Sequence, residues 1–208
     1  SGESYEVIEL LKKQRRLPIT VIGITNESGS SLAVMATHCL LCKAGKEEMT
    51  STKTFITAYL VVYLLAESLK RHEVNEEDLD GIIREVECQL AERDTYLSRS
   101  LTFLKGHSFV QAIGRGTVFA AVAQTALLGG EFRHGPLEMV GPDFICIVYA
   151  HSQSGAYHPS IRLVEDVLSF KGKVILISDA ASGIESPDLL EVHVRCECSD
   201  LFTIPSII

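Results

Sequence analysis

Positive charge is in short supply in this sequence. Lys and Arg total 19 against 27 Asp and Glu, which leaves a formal net charge of −8. A nucleic-acid binder carries a basic face to neutralise phosphates, so that class is disfavoured, although a local cation can still hold a small anion. Long apolar runs are missing as well. The longest, FITAYLVVYLLA, has twelve residues, short of the ~20 that a helix needs to cross a bilayer. The first residues do not read as a secretory signal. The expectation is therefore a cytoplasmic protein with no nucleic acid and no membrane as partner. With 46% hydrophobic and 22% charged residues over 208 positions, the chain can bury a core as one domain or two small ones.

Two further absences narrow the chemistry. GRGTVF at 114–119 follows an apolar run and opens a helical stretch, but Phe119 stands where a dinucleotide fingerprint has its third glycine. Gly114 and Gly116 are instead expected to let a substrate or a second chain approach the backbone. The cysteines, Cys39, Cys42, Cys88, Cys146, Cys196 and Cys198, are scattered. CLLC has zinc-knuckle spacing, yet its apolar setting suggests a strand whose alternation sends Cys39 and Cys42 to opposite faces. Buried, reduced cysteines are the expectation, with no metal site. The sequence begins SGESYEVIELL without Met and stops at LFTIPSII, at the start of a further helix, so it is expected to be part of a longer protein.

What is present is alternation. Near-continuous apolar runs at 19–25, 38–44, 108–114, 143–150, 173–179 and 190–196 read as strands covered on both faces. Helical patterns fall at 4–15, about 50–70, 75–104, 117–128 and 158–171. The fold class is α/β, with βαβ units building parallel sheets. A weak internal repeat supports two lobes. VIGITNESGSSLAVMATHCLLC and VILISDAASGIESPDLLEVHVRC each give a strand, a small polar turn (Thr25-Asn26, Ser178-Asp179), a short spacer and a second strand. SGESYEVIELL and SGAYHPSIRLVEDVL both set Ser-Gly before a helix. The division is 1–70 for the first lobe, 71–106 for a helical connection and 107–208 for the second lobe.

Three stretches carry candidate chemistry, each beside a plainer reading. SGES offers the hydroxyls of Ser1 and Ser4 and the free N–H groups of a helix start to an anion, or is an ordinary cap; Glu3 must point away from any phosphate. MTSTKTF is a second hydroxyl cluster at a helix start, or again an ordinary cap. Its Lys53 is unfavourable at the positive end of the dipole unless an anion or a carboxylate lies near. GGEFRHGP groups Glu131, Arg133 and His134 at a rigid turn. An imidazole held there can move protons on a sugar, or the group is a solvated turn.

SGES, ITNESGSSLA, STKTF, GRG and GEFRHGP, in this order over nearly the whole chain, resemble the SIS (sugar isomerase) family. The likeness is to the isomerase half of glucosamine-6-phosphate synthase and its phosphosugar isomerase and fructosamine-6-phosphate deglycase relatives. The resemblance implies two flavodoxin-like SIS lobes, each a parallel sheet flanked by helices and joined by a helical segment. It implies a keto- or amino-sugar phosphate as substrate, for isomerisation, deamination with isomerisation, or deglycation, without metal or organic cofactor. Ser1, Gly2 and Ser4 match the loop that binds the sugar phosphate, and Ser51, just before Thr52, matches a sugar-contacting residue. His134 matches the ring-opening histidine, which in relatives comes from the neighbouring subunit, so a homodimer is implied. Relatives also carry a glutamate-bearing helix before His-Gly-Pro, and here AQTALLGGEFRHGP runs almost directly into the motif. Glu131 is then the nearest carboxylate, beside Arg133. The alternative is a non-catalytic sugar-phosphate sensor.

Overall fold

The computed structural model describes residues 2–14, 17–46, 52–107, 110–114, 116–118, 121–122 and 140–207. The chain divides into two compact units, Ser1–Val74 and Asn75–Ile208. The first is built of helix α1 (Tyr5–Gln14), strand β1 (Ile22–Thr25), the short helix α2 (Ser31–Met35), strand β2 (His38–Leu41) and helix α3 (Thr52–Lys70). β1 and β2 pair in parallel, from Ile22 opposite His38 to Thr25 opposite Leu41. The strands are shorter than the apolar runs that announce them, because only four residues face a partner.

The second unit comprises α4 (Glu76–Leu104), β3 (Gln111–Gly114), β4 (Ile145–Ala150), α5 (Tyr157–Ser169), β5 (Lys173–Ser178), β6 (Leu189–His193) and α6 (Thr203–Ser206). A 3-10 turn at Gly116–Val118 follows β3. Its sheet runs β3-β4-β5-β6, every pairing parallel. The alternate residues Cys146, Val148 and Ala150 of β4, with Val174 and Leu176 of β5, pack on Val164 and Val167 of α5 and form the core of this unit. β4 is buried at all but Ile147, as the unbroken apolar run FICIVYA predicts. The stretch 71–106 is mostly the single helix α4, within the second unit.

The internal repeat holds in atomic detail. Thr25 and Ser178 both end a strand and are buried. Each hydroxyl accepts from the N–H two residues on, Glu27 at 3.3 Å and Ala180 at 3.2 Å. Each carbonyl accepts from the residue that follows the next strand, Cys42 at 3.0 Å and Val194 at 2.9 Å. The spacers differ: the first contains α2, the second is irregular.

Three expectations are corrected. Gly114 is approached by the chain's own valines, since a Cβ there falls 2.5 Å from Val122 Cγ2 and 3.0 Å from Val118 Cγ2. All six cysteines are free, but Cys39 and Cys88 are exposed rather than buried. α3, at 19 residues with a mean hydropathy of 1.2, is long and apolar enough to cross a membrane by length and composition, although the apolar run within it is not. It packs against β1, and near its end Glu67 pairs with Lys70 at 2.7 Å and His72 at 3.1 Å.

Candidate functional site

The first unit gathers hydroxyl groups where the chain leaves β1. The Thr25 hydroxyl lies 3.5 Å from that of Ser30. Asn26 is held to one side, accepting from the Ala44 N–H at 2.8 Å and donating to the Gly45 carbonyl at 2.7 Å. The segment Gly2–Ser4 lies against this turn. Gly2 has φ +73°, and a Cβ there would overlap Ser30 Oγ and come within 2.7 Å of Thr25 Oγ1. Only glycine allows the segment to sit so close.

The start of α2 is closed by the chain itself. Glu3 accepts from both the N–H and the hydroxyl of Ser31, each at 2.7 Å. The Gly2 carbonyl takes the Leu32 N–H at 3.0 Å, and Ser30 Oγ takes that of Ala33 at 3.3 Å. The two bonds from Ser31 hold the Glu3 carboxyl below its ordinary value of 4.5, the backbone one contributing most. Glu3 is therefore occupied by α2, as a nearby phosphate requires.

The start of α1 is open. Among the described residues nothing accepts from the N–H groups of Tyr5, Glu6 and Val7, and the Ser4 hydroxyl, exposed, has no partner. Three N–H groups and a hydroxyl at the positive end of a ten-residue helix suit an anion. Thr52 opens α3 with its side chain exposed and without a partner among the described residues. Lys53 needs neither an anion nor a carboxylate: its ammonium donates to the Lys46 carbonyl at 2.7 Å. Gly2, Ser4 and Thr52 are thus placed in the first unit, while Ser1, Ser51, Glu131, Arg133 and His134 lie outside the described residues.

The sequence reading missed the groups that end β4 in the second unit. His151 is wholly buried. Its Nε2 donates to the Cys196 carbonyl at 2.9 Å, its Nδ1 accepts from the Gln153 N–H at 3.2 Å, and its ring meets Phe202 edge-on at 5.1 Å. Asp179 accepts from the Ser152 N–H at 2.7 Å and also from its hydroxyl. The sequence singles out Asp179 only as part of the Ser178-Asp179 turn of the repeat, and the signal for His151 is its place after an apolar strand.

Parallel sheets flanked by helices define an α/β protein. Residues 1–68 match the SIS domain family, and the chain resembles the isomerase half of glucosamine-6-phosphate synthase. The match lies within the first unit, so the likeness is to one SIS domain where the sequence reading had two lobes. Over 200 residues the chain is 27% identical to glutamine–fructose-6-phosphate aminotransferase (isomerizing) of Chlamydia muridarum, covering 86% of this chain and 33% of the relative. Over 219 residues it is 29% identical to the enzyme of the same name from Aeropyrum pernix, covering 92% of this chain and 34% of the relative. The chain thus spans about a third of the length of these curated relatives. Among solved structures, the C-terminal domain of glucosamine-fructose-6-phosphate aminotransferase from Francisella tularensis superposes with a TM-score of 0.82 at 22% identity, covering 100% of this chain and 64% of that one. Glucosamine-6-phosphate deaminase from Thermotoga maritima gives a TM-score of 0.63 at 20% identity, covering 99% and 65%.

Proposed function

We propose that this chain binds a keto- or amino-sugar phosphate at the start of α1 and acts on it as a phosphosugar isomerase, deaminase or fructosamine-phosphate deglycase. The observation that carries the reading is the contrast between two helix starts: α2 has spent its N–H groups on Glu3, Gly2 and Ser30, whereas α1 keeps its own free beside Ser4. Phosphate held there, with Ser1 and Gly2 completing the loop and Ser51 and Thr52 reaching the sugar, positions the reacting carbons through binding energy remote from them. His134 then assists ring opening. A carboxylate shuttles a proton between C1 and C2 through an enediol or enolamine, Glu131 being the nearest candidate and Arg133 a further contact to the anion.

The second unit, which repeats the β1–β2 crossover in β5–β6, is read as the second lobe. The setting is read as cytoplasmic, and the working form as a homodimer in which His134 serves the neighbouring site. An exposed apolar stripe on α4, formed by Ile83, Leu90 and Leu97, supports the dimer. The other reading, a sugar-phosphate sensor, shares the site and differs in turnover.

One experiment separates the readings. Fructose 6-phosphate is titrated against fructose, with binding followed by phosphorus NMR, and interconversion of glucosamine 6-phosphate plus water with fructose 6-phosphate plus ammonia is followed by chromatography. Saturable binding of the phosphate ester, lost in Ser4→Ala, supports the site. Turnover lost in His134→Asn with binding retained supports the enzyme, and binding without turnover supports the sensor. Absence of any preference for the phosphorylated sugar removes both readings.

A further inference from the structure

The second unit holds a cavity of about 710 Å³ that the sugar-phosphate reading does not use. Three of the chain's six cysteines line it: Cys88 from α4, and Cys196 and Cys198 from the chain that leaves β6. Only Glu197 separates the last two.

Three observations set these two thiols together. Burial alternates along the segment: Val194 and Cys196 are buried and Cys198 half-buried, whereas Arg195 and Glu197 are exposed. Both thiols therefore turn to the same, inner side, as alternate residues of an extended chain do. The chain bends at Glu197, and the Cys196 thiol donates to the Cys198 carbonyl at 3.1 Å. Both residues are also pinned. Buried His151 donates to the Cys196 carbonyl at 2.9 Å, and the Leu201 N–H donates to the Cys198 carbonyl at 3.1 Å. Thiols held this way meet at an effective concentration set by the fold rather than by diffusion.

The two are not equivalent. Burial pushes the Cys196 thiol up to about 12, and the nearby Cys198 adds to the rise. Because the thiolate is the attacking form, Cys196 is inert toward reagents in solution. Cys198, half-buried at the cavity wall, is the thiol that a small reagent reaches.

We propose that Cys196 and Cys198 form a reversible dithiol site, oxidised to an internal disulfide by low-molecular-weight disulfides such as glutathione disulfide. The Cys198 thiolate attacks one sulfur of glutathione disulfide, whose S–S bond breaks. The departing glutathione thiolate takes up a proton in place of the one Cys198 gave. The Cys196 sulfur then attacks the Cys198 sulfur of the mixed disulfide, and the second glutathione leaves with the Cys196 proton. Two protein thiols are oxidised, and one glutathione disulfide is reduced to two glutathiones. A ring closed over one intervening residue is strained, and strained disulfides are the labile ones, so excess glutathione reopens it. The site is independent of the sugar-phosphate reading and is tested apart from it.

The test treats the whole native chain with glutathione disulfide at neutral pH and maps every cysteine by peptide mass spectrometry. The expected product is a single peptide that has lost two hydrogens, with Cys196 joined to Cys198, while exposed Cys39 and Cys88 carry glutathione. Excess reduced glutathione restores the two hydrogens. In Cys196→Ser the reaction halts at the first step and glutathione accumulates on Cys198. In Cys198→Ser, Cys196 stays a free thiol. A glutathione adduct that persists on Cys198 while Cys196 is present overturns the proposal. So does a bond from Cys198 to Cys88, and so does a native chain in which neither Cys196 nor Cys198 reacts.

Discussion

Gly2 shows how much of the candidate site rests on one missing Cβ. An alanine there must hold φ near +73° and also displace Ser30 and Thr25. Strain and overpacking together are expected to cost about 2 kcal/mol, read as a lower denaturant midpoint, and to remove sugar-phosphate binding. Ser4→Ala should remove binding alone, because the Ser4 hydroxyl has no partner among the described residues; a comparable loss of stability in Ser4→Ala would contradict that assignment. The cysteines give a second residue-scale test. Burial pushes the Cys146 thiol up to about 12 and the Cys196 thiol up to about 12, while Cys39 and Cys88 are exposed. The thiolate is the nucleophile, so alkylation of the native protein at neutral pH, mapped by peptide mass spectrometry, should mark Cys39 and Cys88 first. Early labelling of Cys146 would mean that β4 opens readily.

α4 depends on its cap. Asn75 Oδ1 accepts from the Glu77 N–H at 3.0 Å, and Glu76, Glu77 and Asp78 fill the first turn, where negative charge is favourable. Asn75→Ala should lower stability by about 1 kcal/mol, whereas Gly81→Ala should raise it by about 0.5–1 kcal/mol; thermal unfolding of the two variants checks both signs. This long helix and the six strands were legible in the sequence because periodicity and unbroken apolar runs persist over enough residues to be seen. α2 was not, since five residues inside a Gly-Ser turn hold barely more than one helical turn of pattern. The candidate site was legible as motifs at Gly2, Ser4 and Thr52. Its logic was not, because the closure of α2 depends on Glu3 meeting Ser31 across 28 positions. His151 escaped notice for the same reason: its acceptor, the Cys196 carbonyl, is 45 residues away and belongs to the backbone.

At the scale of the whole molecule, the buried thiols set one limit on stability. Each stays neutral in the fold up to about 12, whereas in the unfolded chain it ionises above its ordinary 9.0. Between those values the unfolded state sheds protons that the fold retains, so stability is held below pH 9 and falls as pH rises toward 12. Cys146→Ala should flatten that fall, measured as midpoint against pH. Assembly sets the other limit. Ile83, Leu90 and Leu97 stand seven residues apart on α4, exposed by 56%, 52% and 57%, and a seven-residue spacing keeps them near one face of the helix. Burying a large apolar side chain is worth about 1.5–3 kcal/mol, so a second copy that covers this stripe gains from all three. Light scattering should then give about twice the 22.8 kDa of one chain. Leu90→Asp with Leu97→Asp should return the mass to 22.8 kDa without loss of helicity. A wild-type chain that scatters as a monomer ends the homodimer reading, and a variant that stays dimeric moves the interface off α4.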